Sequence, residues 1–245
     1  MKIDTEKVFG EVVLAAGGRR LDEELKGKSD FKNADYLFEQ HNCVGELKRI
    51  QKFLDEDSEF RRKLGKYYSK WASQGRVPQP PLKFKFFEFN LMSIPRDWAE
   101  EVMSLLRKQL MSAYLENANR QLRETKKHFG MQDAYGIIFL AVEGTSWYDP
   151  HGLMTVLAQI PKGRLEAVDA FIVFNSNYDA RHPAYQAPVA FWISTRYSNR
   201  PLADELTERL SILWGQEQSK LHPGPMTTHY LPHSEVGTIK FPMGG

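Results

Sequence analysis

Three charged residues of one short stretch have side chains that could form a cation-binding site. The stretch is residues 33–49, NADYLFEQHNCVGELKR, and it contains Asp35, Glu46 and Lys48. Carboxylates are the ligands that hard divalent cations prefer. The three residues serve one site only if the fold brings them together, so their spacing decides the question.

A hairpin would bring these side chains together. The pattern predicts two strands joined by a polar tip, over Ala34–Phe38, Glu39–Asn42 and Cys43–Arg49. With the turn at the middle of this tip, Asp35 lies opposite Glu46. Side chains alternate along a strand, so Glu46 and Lys48 share a face. Directly opposed carboxylates repel each other by up to about 1 kcal/mol, and a bound cation would remove that repulsion.

The same residues carry a family resemblance. Asp35, ten intervening residues and then Glu46-Leu47-Lys48 resemble the D…ExK signature of the PD-(D/E)xK nuclease-like superfamily, although Ala34 stands where the family name has proline. The resemblance implies a restriction-endonuclease-like core. It also implies that Asp35, Glu46 and the backbone carbonyl of Leu47 hold Mg²⁺ or Mn²⁺, and that Lys48 assists the attacking water.

The activity implied by the resemblance is that of a metal-dependent endonuclease that acts on nucleic acid, and DNA rather than RNA is the expected substrate. Members of such a fold also lose cleavage and keep the scaffold, so a catalytically inactive protein that binds nucleic acid or a protein partner is the alternative. Two weaker site candidates follow from position. Glu11 lies on a predicted helix before the motif, and Gln51 is placed one turn into the next helix.

Two other interpretations of the motif remain open. Leu47, Ile50 and Phe53 recur at helical spacing, so a helix beginning at Gly45 would separate the side chains of Glu46 and Lys48. Within a hairpin, the alternative to a site is a diagonal ion pair between Asp35 and Lys48 on an exposed sheet face, with Glu46 solvated. The hairpin is favoured over the helix because Val-Gly is a poor helix start.

Composition limits the compartment and the partners. The net charge of +2 excludes a global basic field, so any contact with nucleic acid needs local basic clusters. A single cysteine, Cys43, excludes an internal disulfide framework and fits a reducing compartment. The charged N-terminal segment and the absence of a long apolar run predict a cytoplasmic protein that does not enter a membrane. A homodimer is compatible with these observations.

The later part of the chain predicts an α/β fold, in which helices flank a mixed sheet. Continuous apolar runs predict buried strands, and periodic segments predict helices. The predicted strands are Tyr135–Val142, Val168–Phe174 and Val189–Thr195, and the predicted helices are Thr5–Ala16, Ile50–Ser73, Pro95–His128, Gly152–Ile160 and Leu202–Gly215. We expect one domain over residues 1–221, with a helical insertion at about 50–130 and an irregular tail over 222–245.

Some features have a second, less favoured interpretation. The basic excess of Ile50–Ser73 could face phosphates, and the aromatic run Leu82–Phe89 could stack on bases, although a solvated helix face and a packed core explain them. The basic end of the long helix, before His128, suits the helix dipole. A third functional hypothesis is an unrelated α/β enzyme with its site at Glu143–His151 or Asn175–His182, after buried strands.

Overall fold

The computed structural model describes residues 3–25, 32–51, 58–76, 95–143, 150–176, 189–200, 204–221 and 227–231. Their helices are α1 Thr5–Ala15, α2 Leu21–Glu24, α3 Ser58–Ser73, α4 Arg96–Leu110, α5 Glu116–His128, α6 Pro150–Ala158 and α7 Asp204–Leu221. Their strands are β1 Arg19–Arg20, β2 Tyr36–Phe38, β3 Cys43–Ile50, β4 Tyr135–Val142, β5 Ala170–Asn175, β6 Val189–Arg196 and β7 Thr227–Leu231. A short 3-10 turn, Glu39–His41, joins β2 to β3.

One mixed sheet contains all seven strands in chain order, β1 to β7. The pairs β3–β4, β4–β5 and β6–β7 are parallel, whereas β1–β2, β2–β3 and β5–β6 are antiparallel. Parallel neighbours need a crossover connection, and α3, α4 and α5 lie between β3 and β4 in the chain. The predicted α/β class with a mixed, helix-flanked sheet is confirmed.

Helices cover both faces of the sheet. On one face α1 and α7 pack through residues such as Phe9, Val13, Leu210 and Trp214 against alternate residues of the strands. On the other face α4, α5 and α6 pack through Leu110, Leu122 and Leu153, among others, against the intervening residues. Because both faces are covered, β4 and β5 are buried at every residue, which explains their continuous apolar sequences.

The long predicted helix is present but contains a π-helical turn. Five residues, Met111–Leu115, separate α4 from α5. A π turn adds a residue to the helical repeat, so it changes the phase between the two halves. The aromatic rings of Trp71 on α3 and Trp98 on α4 stack with centroids 4.5 Å apart, which attaches α3 to this long helix. Within the described ranges, no helix has the length and apolarity needed to cross a bilayer.

Several predicted boundaries need correction. Ile50 belongs to β3 because it pairs with Val142 of β4, and the helix predicted from Ile50 begins at Ser58 after residues 52–57, which lie outside the described part. Five residues of the predicted irregular tail form β7, which pairs along β6 from Val189 to Ile193. The β-branched and aromatic residues of TTHYL favour a strand. The strand forms because its backbone pairs with β6, and the local sequence pattern does not predict that pairing.

Other predictions fall outside the described residues. The aromatic run Leu82–Phe89 is one, and the rest of the tail, 222–226 and 232–245, is another. The division into one domain over 1–221 with a separate tail stays a prediction.

Candidate functional site

The β2–β3 hairpin has the register predicted from its sequence. Tyr36 pairs with Gly45 and Phe38 pairs with Cys43, which places Asp35 beside Glu46 one step further along. The 3-10 turn and Asn42, whose φ of 44° is left-handed, reverse the chain. Asparagine tolerates that conformation better than most residues. The rival prediction of a helix from Gly45 is wrong, because β3 pairs with β4 along its whole length.

Asp35, Glu46 and Lys48 converge, and the contacts between them are specific. The Lys48 ammonium forms an ion pair with Oε1 of Glu46. The other oxygen of Glu46, Oε2, accepts a hydrogen bond of 3.1 Å from the backbone N–H of Asp35. In return, Oδ2 of Asp35 accepts a hydrogen bond of 2.8 Å from the backbone N–H of Leu47. Glu46 therefore binds the backbone just before β2, Asp35 binds the backbone of β3, and this exchange fixes both side chains.

The interpretation of the motif as a surface ion pair is wrong. Lys48 pairs with Glu46 rather than Asp35, and the side chain of Glu46 is only 1 % exposed. The cause is the layer of helices on this face of the sheet, since α5 packs directly over β3. Glu46 is therefore a buried carboxylate that is paired with the ammonium of Lys48, and a buried charge needs such a partner.

Burial shifts the protonation of both carboxylates. Burial, and secondarily the neighbouring charge of Asp35, raises the pKa of Glu46 to about 8, and the ammonium of Lys48 offsets only part of that rise. Burial raises the pKa of Asp35 to about 6, opposed by the Leu47 N–H and by Lys48. Two carboxyl groups with raised pKa values at one place form an electrostatic environment in which an additional cation would be favourable.

Helix α5 supplies the rest of the site. Oε1 of Gln121 accepts a hydrogen bond of 2.9 Å from Nζ of Lys48, and Nε2 of Gln121 donates to the carbonyl of Asn33 at 2.8 Å. Oγ1 of Thr125 accepts from the backbone N–H of Ala34 at 2.8 Å. The strand β2 begins at Tyr36, two residues later than the predicted Ala34, because the backbone N–H groups of Ala34 and Asp35 bond to the side chains of Thr125 and Glu46 rather than to a neighbouring strand.

Gln121 is a site residue that the sequence pattern did not reveal. It is buried and touches Lys48, yet it lies in the middle of a helix more than seventy residues later in the chain. A usable signal existed, because Asn117, Gln121 and Thr125 recur every four residues and form a polar row beside the apolar stripe of α5. The pattern alone did not say which strand that row would meet.

The two weaker site candidates lie outside this network. Glu11 is exposed on α1, and Gln51 is exposed directly after β3 rather than one turn into a helix. The acidic residue of α1 that approaches the hairpin is Glu6, whose Oε2 lies 3.1 Å from a guanidinium nitrogen of Arg49. Arg49 also pairs with Glu143 at 3.1 Å. This ion-pair row involves the α1 face of β3, opposite the face that carries Lys48.

The part of the chain that the structure describes contains no metal site built from three ligating side chains. Among the described residues, no group of three or more histidine, cysteine, aspartate or glutamate side chains is placed to hold a metal ion. Of the two segments of the third hypothesis, the structure describes Glu143 after β4, Pro150 and His151 at the start of α6, and Asn175 with Ser176 at the end of β5. Glu143 pairs with Arg49, and Oδ1 of Asn175 accepts from the N–H of Phe191, so these residues join strand ends.

Comparison with known proteins adds no family assignment. No protein-family model, no curated protein and no solved structure matches the chain. The geometry of the hairpin and α5 is therefore the basis from which a function can be inferred.

Proposed function

We propose that the protein is a metal-dependent phosphodiesterase that acts as an endonuclease on nucleic acid, with DNA as its substrate. The observation that carries this proposal is the convergence of Asp35, Glu46 and Lys48 into one hydrogen-bonded group on the β2–β3 hairpin. This is the arrangement that the resemblance to PD-(D/E)xK nucleases leads us to expect of an active site.

The residues present fit a hard divalent cation. Mg²⁺ is commonly bound through only one or two carboxylates, with water and substrate phosphates completing its coordination. Asp35 and Glu46 supply two carboxylates, and the backbone carbonyl of Leu47 is the further ligand that we propose. Among the described residues, Lys48 is the cation that pairs with the buried Glu46, whose pKa is raised. A second positive charge would therefore stabilise the ionised form of this side chain.

Each residue has a role in the proposed reaction. A bound Mg²⁺ or Mn²⁺ supplies a water of lowered pKa and neutralises charge on the phosphate. Asp35 and Glu46 hold the cation, and their mutual backbone bonds keep both carboxylates in place. Lys48 orients the attacking water and stabilises the oxyanion. Gln121 keeps the ammonium of Lys48 at the site through its 2.9 Å hydrogen bond.

A catalytically inactive scaffold is the second candidate function, and one observation favours it. The ammonium of Lys48 is bound by both Glu46 and Gln121, and each carboxylate binds a backbone N–H, so the network is satisfied within itself. Such a network stabilises a hairpin without any reaction. The protein would then hold nucleic acid or a protein partner and leave phosphodiester bonds intact.

Cleavage assays separate the two functions. Labelled duplex DNA, single-stranded DNA and RNA are incubated with the protein in Mg²⁺, in Mn²⁺ and in EDTA. We expect metal-dependent cleavage by the wild type, with a loss of about 100-fold or more in Asp35→Asn, Glu46→Gln and Lys48→Met. Glu11→Gln is the matched control, because that carboxylate is exposed and outside the network. Intact substrates in every condition, with binding retained, would support the scaffold instead.

A further inference from the structure

Helix α5 has a second surface beside the site. Its inner face holds the hairpin through Gln121 and Thr125, whereas its outer face exposes three cationic side chains. These are Arg120, Arg123 and Lys127, which we call the basic α5 face. We propose that the basic α5 face binds the phosphate backbone of a nucleic-acid strand. This inference rests on the proposed function, because it assigns a substrate-contact surface to the same site.

The spacing of the three residues suits a linear polyanion. Positions separated by three and four residues lie on the same side of an α-helix. From Arg120 to Lys127 the helix advances about 10 Å, at 1.5 Å for each residue. One strand of a duplex carries a phosphate about every 3.4 Å along the helix axis. The basic α5 face is therefore long enough to contact about three consecutive phosphates.

The cations of this face are available for an external anion. Within the described part of the chain, neither Arg123 nor Lys127 forms an ion pair with a carboxylate. Arg120 donates a hydrogen bond of 2.7 Å to the neutral side chain of Asn117. The face also carries acidic residues. Glu116 is paired with Arg164 at 3.2 Å, and Glu124 leaves one negative charge among the three cations.

The helix dipole explains only part of this charge. Its effect is confined to the last turn of a helix, and Arg120 and Arg123 lie more than one turn before the end of α5 at His128. Lys126, in the last turn, is buried and donates to the carbonyl of Ala167 at 2.9 Å. The helix dipole therefore does not account for the positive charges of Arg120 and Arg123.

A chain of hydrogen bonds joins the basic α5 face to the candidate site. Arg120 donates to Asn117, and Nδ2 of Asn117 donates to Oε1 of Gln121 at 2.7 Å. The same Gln121 oxygen accepts from Lys48. A phosphate bound by Arg120 would thus lie beside the residues that position Lys48, and the strand would continue along α5 toward Lys127.

Salt-dependent binding tests the proposal without requiring cleavage. Binding of a fluorescently labelled DNA duplex to the full-length protein is measured by anisotropy in EDTA over a range of salt concentrations. In Arg123→Gln/Lys127→Gln we expect about a tenfold loss of affinity and a log–log salt slope smaller by about two. The matched control is Lys7→Gln/Lys220→Gln, which removes the same charge from α1 and α7 on the other side of the sheet.

The outcomes separate this proposal from the nuclease proposal. Equal weakening in both double variants, or no change in either, would overturn the assignment of the basic α5 face. Stronger dependence on these residues for anionic lipid vesicles than for DNA would also contradict it. Both proposals are supported if Glu46→Gln loses cleavage but still binds DNA, and if Arg123→Gln/Lys127→Gln weakens that binding. If the wild type binds DNA without cleaving it, and Arg123→Gln/Lys127→Gln weakens that binding, the basic α5 face is supported and the nuclease proposal is rejected.

Discussion

Glu46 is the most constrained side chain of the candidate site. It is buried, its two oxygens bind Lys48 and the backbone of Asp35, and burial raises its pKa to about 8. A buried acid of this kind is held in the protonated form at pH values where an ordinary glutamate is ionised. Catalytic and metal-binding carboxylates are often tuned in this way, and structural networks can produce the same shift.

This burial makes a prediction about stability and pH. The pKa of Glu46 is raised in the folded state, so the folded protein retains a proton that the unfolded chain loses above its ordinary pKa of 4.5. The contribution of Glu46 to the free energy of unfolding should therefore fall as the pH rises from about 4.5 to about 8, and Asp35, whose pKa is also raised, adds a further fall below about pH 6. In Glu46→Gln the contribution of Glu46 should be absent, so the variant should gain more than about 2 kcal/mol relative to wild type between pH 5 and pH 9.

Urea unfolding at a series of pH values measures this difference. Glu11→Gln serves as the control, because it makes the same substitution at an exposed position outside the network. Parallel profiles for the wild type and Glu46→Gln would show that Glu46 is ionised in the folded protein, which contradicts a pKa raised by burial.

Gly136 of β4 lies close to the backbone of the chain before β5, and only a residue without a side chain fits there. A Cβ atom at Gly136 would lie 1.9 Å from the carbonyl oxygen of Ala167, which is backbone and cannot rotate away. Gly136→Ala should therefore destabilise the protein by about 3 kcal/mol, because the segment before β5 must shift. Gly65, inside α3, has open space around the corresponding position. Gly65→Ala should raise the free energy of unfolding by up to about 1 kcal/mol.

Chemical denaturation of the two variants provides the comparison. A small effect of Gly136→Ala, similar in size to that of Gly65→Ala, would mean that β4 and the chain before β5 are not in close backbone contact.

Some of the elements around the site can be predicted from sequence, and others cannot. The hairpin and its register follow from local information, since a polar tip and two short apolar strands permit few alignments. The buried strands β4 and β5 follow from their apolar runs. The role of α5 does not, because Gln121 and Thr125 meet Lys48 and Ala34 only through the packing of a distant helix on the sheet. Side-chain partners of that kind are set by tertiary structure.

At the scale of the whole molecule, the sheet ends in a strand that its sequence did not reveal. β7 is parallel to β6 and pairs with it over five residues. Without β7, the backbone N–H and carbonyl groups along that side of β6 would be exposed, and unpaired edges promote association between chains. A chain truncated after Leu221 should therefore be less stable and should aggregate at lower concentration than a chain truncated after Leu231.

Light scattering and thermal unfolding of the two truncated chains test this expectation. Identical behaviour of both would show that the pairing of β7 contributes nothing to the stability of the sheet.

Mn²⁺ binding measured by titration calorimetry tests the central claim most directly. The claim is that Asp35 and Glu46 together hold a divalent cation, and it needs neither a substrate nor a chosen reaction. At pH 8, where both carboxyl groups can ionise, we expect saturable binding to the wild type and to Glu11→Gln, with none to Asp35→Asn/Glu46→Gln. Binding should weaken at pH 6, because protons compete with the metal for Glu46. Absence of binding to the wild type at pH 8, or equal binding to the double variant, would contradict the claim and leave the hairpin network with a structural role.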